Sequence, residues 1–289
     1  MRIIQGIAVF IFLCGGCLAA ETPDKSMLQG IAEAYLAKRP ATAPPAGLSY
    51  ENALATQGEY VQILGPSLGK RVGYKVGLVT AGGQERNKIS HPIRGVLFEK
   101  MLLRNNSTVP VAYGTRPIVE PDLMVRVRDD GINNASTIEE AAEHLSEIIC
   151  FIELADGTFR TNAPVDAGVL VASNVGARAG IMGEARKVEV TREFLSGFKG
   201  MSLVLADKSG KEVSRVTADG VMGHPINAVL WLVKDLKRTG EKLKAGDVVS
   251  LGSPSPQVSP QAGDEFVLRY EGLPGGPITA KVRFGSDAK

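Results

Sequence analysis

Arg116-Pro117-Ile118-Val119-Glu120-Pro121-Asp122-Leu123-Met124-Val125-Arg126-Val127 is the stretch from which the rest of the chain is read. After Pro121, Leu123, Val125 and Val127 alternate with Met124, Arg126 and Arg128, a period of two that predicts a β-strand. Glu120 and Asp122 are two apart, so both carboxylates leave the same face of that strand. Side by side they repel, and each raises the pKa of the other unless a cation sits between them. A hard divalent ion such as Mg²⁺ takes such an oxygen pair, together with waters and a chelating substrate. A solvated strand face fits the same residues, because positions 120, 122, 126 and 128 are all polar.

The chain of 289 residues carries a formal charge of +2, with 44% hydrophobic and 22% charged residues. That is ordinary globular composition. With no basic block and no aromatic residues interleaved with basic ones, nothing supports nucleic-acid binding. Met1-Arg2, the apolar run from Ile7 to Leu13 and the small residues up to Ala20 read as a secretory signal peptide over 1–20, too short to span a bilayer stably. The expected location is therefore periplasmic or secreted, with no membrane span after signal removal. A lipid anchor at Cys17 is the rival reading, but Cys14 stands where such signals usually carry Leu. The mature chain then holds only Cys150, which excludes an intramolecular disulfide. Its place in Ile148-Ile149-Cys150-Phe151-Ile152 predicts a core residue.

Working outward, apolar spacing predicts a helix over 24–38. Ser49 caps a second, expected to run to about Leu64 with Gly65-Pro66 as its stop. In Lys70-Arg71-Val72-Gly73-Tyr74-Lys75-Val76-Gly77-Leu78 the apolar residues share one strand face and Lys75 points to the other, between glycines that admit a close neighbour. The polar segment from Ala81 to Pro92 is expected to lie over a site. Two overlapping capping boxes in Ser136-Thr137-Ile138-Glu139-Glu140 start another helix. Glu153 sits inside an apolar run, where a carboxylate needs a partner or a cation. Strands over 201–206 and 212–217 form a hairpin, and Gly223-His224-Pro225 opens a helix in which His224 reads as a local structural residue. The pattern predicts a β-rich α+β fold and not alternating βαβ units. Glycine-rich nucleotide loops, a nucleophile elbow, a His-Glu-x-x-His helix and a zinc cysteine pair are all missing from the sequence.

Five pieces in order carry a resemblance: Gly73-Tyr74-Lys75-Val76-Gly77-Leu78, Pro92-Ile93-Arg94-Gly95-Val96-Leu97, Arg116 to Asp122, Glu153 after an apolar strand, and Gly223-His224-Pro225-Ile226-Asn227-Ala228-Val229 followed by Trp231-Leu232. Together they resemble the fumarylacetoacetate hydrolase superfamily, in its branch of 2-keto-4-pentenoate hydratases and 4-oxalocrotonate decarboxylases. The resemblance implies a mixed β-roll catalytic domain over 71–289, with 21–70 as an N-terminal helical cap. It implies Mg²⁺ or Mn²⁺ on Glu120, Asp122 and Glu153, Lys75 as the catalytic residue, and Asn174, Arg94 and His91 as substrate contacts. It further implies a small 2-oxo acid as substrate, a metal-stabilised enolate in a hydration or decarboxylation, and self-association into a homo-oligomer.

Three departures bear on that expectation. Asp122 replaces the branch's usual Glu. His91-Pro92-Ile93-Arg94-Gly95 stands where hydratases resemble Gln-Pro-Asp-Phe-Gly, with Ile93 apolar as in the decarboxylases. Ala172-Ser173-Asn174-Val175-Gly176 stands for Ala-Asp-Asn-Ala-Ser. An acylpyruvate-type hydrolase and an exported, non-catalytic 2-oxo-acid-binding protein are the alternatives; the hydrolase would need a His–Glu pair, for which His91 offers no acidic partner in the sequence.

Overall fold

The acidic strand begins at Pro117 and runs to Val127, with Pro121 inside it. Odd-numbered residues there turn their backbone groups toward one neighbour: Val119 exchanges hydrogen bonds with Val258, and the Leu123 carbonyl accepts from Leu251 N–H. The Pro121 nitrogen faces the gap between those two contacts, so its missing N–H removes no ladder bond.

The computed structural model describes residues 22–160 and 162–286; the expected signal peptide and Cys17 lie outside the described residues. In chain order the elements are α1 (Lys25–Leu36), α2 (Tyr50–Leu68), β1 (Arg71–Gly77), α3 (Ala81–Arg86), β2 (Ile93–Phe98), β3 (Leu102–Arg104), β4 (Ser107–Pro110), β5 (Pro117–Val127), α4 (Ile138–Glu143) and β6 (Leu145–Asp156). They continue with α5 (Ala167–Ala172), β7 (Ala179–Lys187), α6 (Arg192–Gly200), β8 (Ser202–Asp207), β9 (Glu212–Thr217), α7 (Ile226–Arg238), β10 (Val248–Ser250), β11 (Glu265–Glu271) and β12 (Ile278–Gly285). Seven strands form one mixed sheet in the order β2-β1-β10-β5-β6-β7-β3, and five form a second, β4-β12-β11-β8-β9. This is the β-rich α+β architecture expected, with the first two helices set against it.

The two sheets pack face to face. Cys150 is fully buried, and its thiol lies 3.6 Å from the Leu268 carbonyl of β11. Tyr270 of β11 reaches into the larger sheet. Its hydroxyl accepts from Phe151 N–H at 3.1 Å and donates to the Asp122 carbonyl, standing between two residues that face each other across β5 and β6. A buried phenol needs such partners, and here they fix the stacking of the sheets.

Local signals hold at the helix starts. Asp24 caps α1, Ser49 caps α2, and Thr137 with Glu140 forms a complete capping box on α4. One expectation is corrected. α2 continues through Pro66 to Leu68, because a proline so near the end forfeits little of the helix's bonding; the stop is Gly69, at φ 88°, whose N–H bonds to the Gly65 carbonyl. The polar segment from Ala81 contains the short helix α3, capped by Thr80. α5, α6 and β7 had no sequence signal strong enough to predict them; β7 (AGIMGEARK) is a strand because β6 pairs with it. Among the described residues no helix is long and apolar enough to cross a membrane.

His224 closes the N-terminus of α7. Its Nδ1 accepts from Ile226 N–H at 3.1 Å and its Nε2 faces the Leu195 carbonyl at 3.2 Å. Both contacts require the neutral ring with the proton on Nε2. Burial holds the His224 pKa below its ordinary 6.5, outweighing the Leu195 carbonyl. The unfolded chain therefore takes up this proton first as pH falls, and stability from His224 is present above pH 6.5 and lost as pH drops through the lower folded value. We expect urea denaturation at about pH 7.5 and about pH 5.5 to show an acid-side loss that is smaller in His224→Gln than in the wild type. An equal loss in both proteins would exclude His224 as its source.

Candidate active site

Strand register brings the predicted residues to one face of the larger sheet. Lys75 of β1 lies between Gly95 of β2 and Ser250 of β10. Glu120 of β5 is directly opposite Glu153 of β6, and Asp122 follows two residues on. The glycines serve the close approaches expected of them. A Cβ on Gly73 would sit 1.8 Å from the Val248 carbonyl oxygen, and one on Gly95 would sit 2.8 Å from the Asn174 carbonyl and 3.1 Å from Lys75 Cγ. A cavity of about 860 Å³ opens over this face, and Lys75, Glu120 and Glu153 line it.

The electrostatics are unbalanced. Lys75 and Glu153, each 4% exposed, form an ion pair, and Lys75 Nζ also donates to the Val175 carbonyl at 3.1 Å. Burial works against the ammonium, but Glu153, Glu120 and Asp122 together hold the Lys75 pKa above its ordinary value. Burial and the Glu153 charge push Glu120 up to about 7, against the pull of Lys75 and a 3.0 Å hydrogen bond from Gln257. Asp122 is fully buried. Burial and Glu153 drive its pKa well above the carboxylate range, although Ser250 Oγ and Leu123 N–H each donate to it at 2.5 Å. Three carboxylates thus share one ammonium, leaving a formal excess of two negative charges when all ionise.

Among the described residues no group of three or more His, Cys, Asp and Glu is gathered closely enough to hold a metal ion. Glu153 is turned onto Lys75 and Asp122 onto Ser250, so the expected ligand set shares a face without converging on one point. Asp122 does not line the cavity.

The three expected substrate contacts are corrected: none lines the cavity. Arg94 pairs with Val76 in the β1–β2 register, one position from the Lys75–Gly95 pair, so it faces the other side of the sheet. There its guanidinium is consumed by Asp235 and Glu241, both at 2.8 Å, and by Thr239 at 2.9 Å. His91 stacks on Trp231 and meets Tyr50 edge-on, with its Nδ1 2.7 Å from the Pro92 carbonyl. Asn174 clips onto β2: its Oδ1 accepts from Val96 N–H at 2.6 Å and its Nδ2 donates to the Val96 carbonyl at 2.9 Å. That clip holds Val175 at φ 55°, ψ 35°, a costly conformation for a β-branched residue. The Val175 carbonyl is the one that accepts from Lys75, so Asn174 positions the lysine from behind.

Sequence reasoning missed Arg86, Arg116 and the segment 252–257, all of which line the cavity. Arg116 was in plain view beside the acidic strand. The polar, Pro-interrupted Ser253-Pro254-Ser255-Pro256-Gln257 between two strands was the signal for a functional loop. We expect Asn174→Ala to leave the buried Val96 N–H and carbonyl unpaired and to cost about 1–3 kcal/mol. Chemical denaturation measures this, and a loss under about 0.5 kcal/mol would contradict the clip.

The chain matches no family model. It is 26% identical over 212 residues to a 2-keto-4-pentenoate hydratase of Paraburkholderia xenovorans (strain LB400), covering 72% of this chain and 75% of the relative. To a 4-oxalocrotonate decarboxylase of Pseudomonas putida it is 25% identical over 214 residues, covering 73% and 77%. Its fold is similar to that of the 4-oxalocrotonate decarboxylase from Pseudomonas putida G7 complexed with magnesium and adipate, with a TM-score of 0.77 at 21% identity over 91% of this chain and 99% of that one. It is also similar to fumarylpyruvate hydrolase from Pseudomonas aeruginosa in complex with Mn²⁺ and pyruvate, with a TM-score of 0.53 at 17% identity over 75% and 90%. Sequence relatives and fold neighbours agree: the chain is similar in sequence to 2-keto-4-pentenoate hydratases and 4-oxalocrotonate decarboxylases, and it shares the fold of the decarboxylase and of fumarylpyruvate hydrolase.

Proposed function

We propose that this protein is a metal-dependent lyase that hydrates or decarboxylates a small 2-oxo acid. The observation that carries the reading is the excess of carboxylate over ammonium on one sheet face, with Glu120 and Glu153 lining an open cavity and Asp122 buried beside them. An acid trio of this kind is costly unless a cation joins it. The donors are hard oxygens on adjoining strands, which suits Mg²⁺ or Mn²⁺ over softer ions. Glu120, Asp122 and Glu153 are the residues proposed to hold it, Glu120 by leaving Gln257 and Glu153 through the oxygen not paired with Lys75. When bound, the ion supplies Lewis acidity toward the keto oxygen of a chelating 2-oxo acid.

The remaining work falls to the chain's own side chains. Lys75 Nζ has three donors; Glu153 and the Val175 carbonyl take two, and the third is left for the cavity. In this reading it donates to the oxygen on which charge develops or returns a proton to the substrate. Arg86 and Arg116 add positive charge that favours an acid. Ile93, lining the cavity where hydratases resemble an acid, leaves an apolar wall, which favours decarboxylation over activation of a water. The hydrolase alternative is weaker: no histidine lines the cavity. With the leader read at 1–20, we propose that this chemistry takes place in the periplasm or outside the cell, in a homo-oligomer.

Calorimetry with Mg²⁺ and Mn²⁺, with and without oxalate as a mimic of the enolate, tests the reading. We expect metal to bind and oxalate to bind only in its presence, with Glu120→Gln abolishing both. Oxalate binding without metal, or metal affinity unchanged in Glu120→Gln, would sink the metal assignment. Lys75→Met should keep metal and oxalate binding but lower turnover of a 2-oxo acid by roughly a hundredfold or more. Undiminished turnover would remove Lys75 from the chemistry, and no turnover by the metal-loaded wild type would leave a binding protein.

A further inference from the structure

Glu120 is anchored unlike the other two acids. Glu153 has the Lys75 ammonium, and Asp122 has Ser250 and the Leu123 N–H. Among the described residues the Glu120 carboxylate has one hydrogen-bond donor, the side-chain amide of Gln257 at 3.0 Å. Gln257 is exposed and lines the same cavity as Glu120. Its amide makes no other hydrogen bond among the described residues, so a second N–H and the Oε1 are left over.

The backbone fixes where that amide stands. Val119 and Val258 form an antiparallel bridge, with N–H to carbonyl bonds in both directions at 2.8 and 3.1 Å. Glu120 and Gln257 are the next residues on either side of the bridge and so face each other as cross-strand neighbours. The loop that leads to Gln257 is stiff. Pro254 and Pro256 fix φ at two of its positions. Ser255 N–H donates to Ser253 Oγ at 3.1 Å, and Ser255 Oγ lies 2.6 Å from Ser214 Oγ of β9. At the start of the loop Gly252 stands at φ 91°, where a Cβ would be 2.7 Å from the Val76 carbonyl oxygen. The amide therefore stays at the cavity wall whichever way the Glu120 side chain turns.

We propose that Gln257 is a specificity-determining residue whose amide serves two carboxylates in turn: Glu120 in the metal-free protein, and the carboxylate of the 2-oxo acid once Glu120 has turned to a divalent cation. This rests on the reading that Glu120 is a metal ligand and that the cavity takes a 2-oxo acid. In turning, Glu120 gives up one neutral, exposed donor, whereas Asp122 and Glu153 are held by buried ones. A 2-oxo acid that chelates through its keto oxygen and one carboxylate oxygen leaves the other carboxylate oxygen in need of a donor. The released N–H of Gln257 supplies it. The two binding events are thereby linked, because that donor stays engaged by Glu120 until Glu120 has another partner.

The test is calorimetry on the wild type and Gln257→Met, which keeps the length of the side chain and removes its donors. Mg²⁺ is titrated first, then oxalate or acetohydroxamate into the Mg²⁺-loaded proteins. Acetohydroxamate chelates through two oxygens and has no third. In Gln257→Met we expect Mg²⁺ to bind about threefold or more tighter, since no hydrogen bond to Glu120 has to be broken. Oxalate should bind about tenfold or more weaker, and acetohydroxamate as in the wild type. A residue that only props Glu120 in place would weaken Mg²⁺ instead. Mg²⁺ affinity unchanged or lowered in the variant, or oxalate affinity unchanged, or oxalate and acetohydroxamate weakened alike, would each overturn the exchange and leave the metal reading standing. Mg²⁺ binding without oxalate binding in the wild type would overturn it as well. No Mg²⁺ binding by the wild type would overturn the metal reading and the exchange together.

Discussion

The ion pair between Lys75 and Glu153 is the constraint around which the larger sheet is arranged. It joins β1 to β6 across two intervening strands, in a place where removing either partner would strand a charge out of water. Several otherwise unrelated features serve it. Gly95 leaves room for the lysine stem, the Asn174 clip presents the Val175 carbonyl, and the Gly73–Val248 contact brings β1 against β10. Glu153 cannot satisfy both the lysine and a metal with one oxygen. Its two carboxylate oxygens let one remain with Lys75 while the other turns toward Glu120, so pairing and ligation are compatible.

Behind the acids, the second sheet is part of the same construction. Tyr270 bonds to the Asp122 carbonyl from the opposite side of the strand that carries the Asp122 carboxylate. Asp122 is therefore held at both ends, by Tyr270 at the backbone and Ser250 at the side chain. A residue fixed in this way has little freedom to adjust. For the proposed metal site, that suits a short Asp in place of the longer Glu only if Glu120 and Glu153 move to meet it. Glu120, half-buried and tethered by one amide hydrogen bond, has the looser anchorage of the set.

How much of this was legible beforehand depended on how local each signal was. The alternation around Glu120 and Asp122, the apolar setting of Glu153 and the glycine-flanked Lys75 are period-two patterns, and strand geometry alone puts those side chains on predictable faces. Helix starts were equally legible, because a cap and the amide it satisfies lie within four residues. Arg94 was placed at the site by resemblance and not by any local pattern: one step along the strand from Gly95 reverses the face, and its partners Asp235 and Glu241 lie far along the chain. β7 could not be recognised from its small and charged residues, since its strand character comes from pairing with β6. Arg116 was quoted within the decisive stretch, but its exposure to the cavity depends on Gly157 and on the chain beyond β6, which no local pattern records.

The parallel pairing of β1 with β10 has a kinetic consequence. Gly73 meets Val248 across most of the length of the chain, and the lysine beside it acquires its setting only when that contact closes. Long-range parallel pairing is slow, because the entropy of closing a very large loop is lost before any contact rewards it. The acid-bearing antiparallel pair of β5 and β6, joined by the segment 128–144 that carries α4, closes a far smaller loop and can form earlier. During folding the carboxylates therefore exist for a time without their ammonium. In that interval their negative charge is unbalanced, and a free divalent ion meets no competing ammonium.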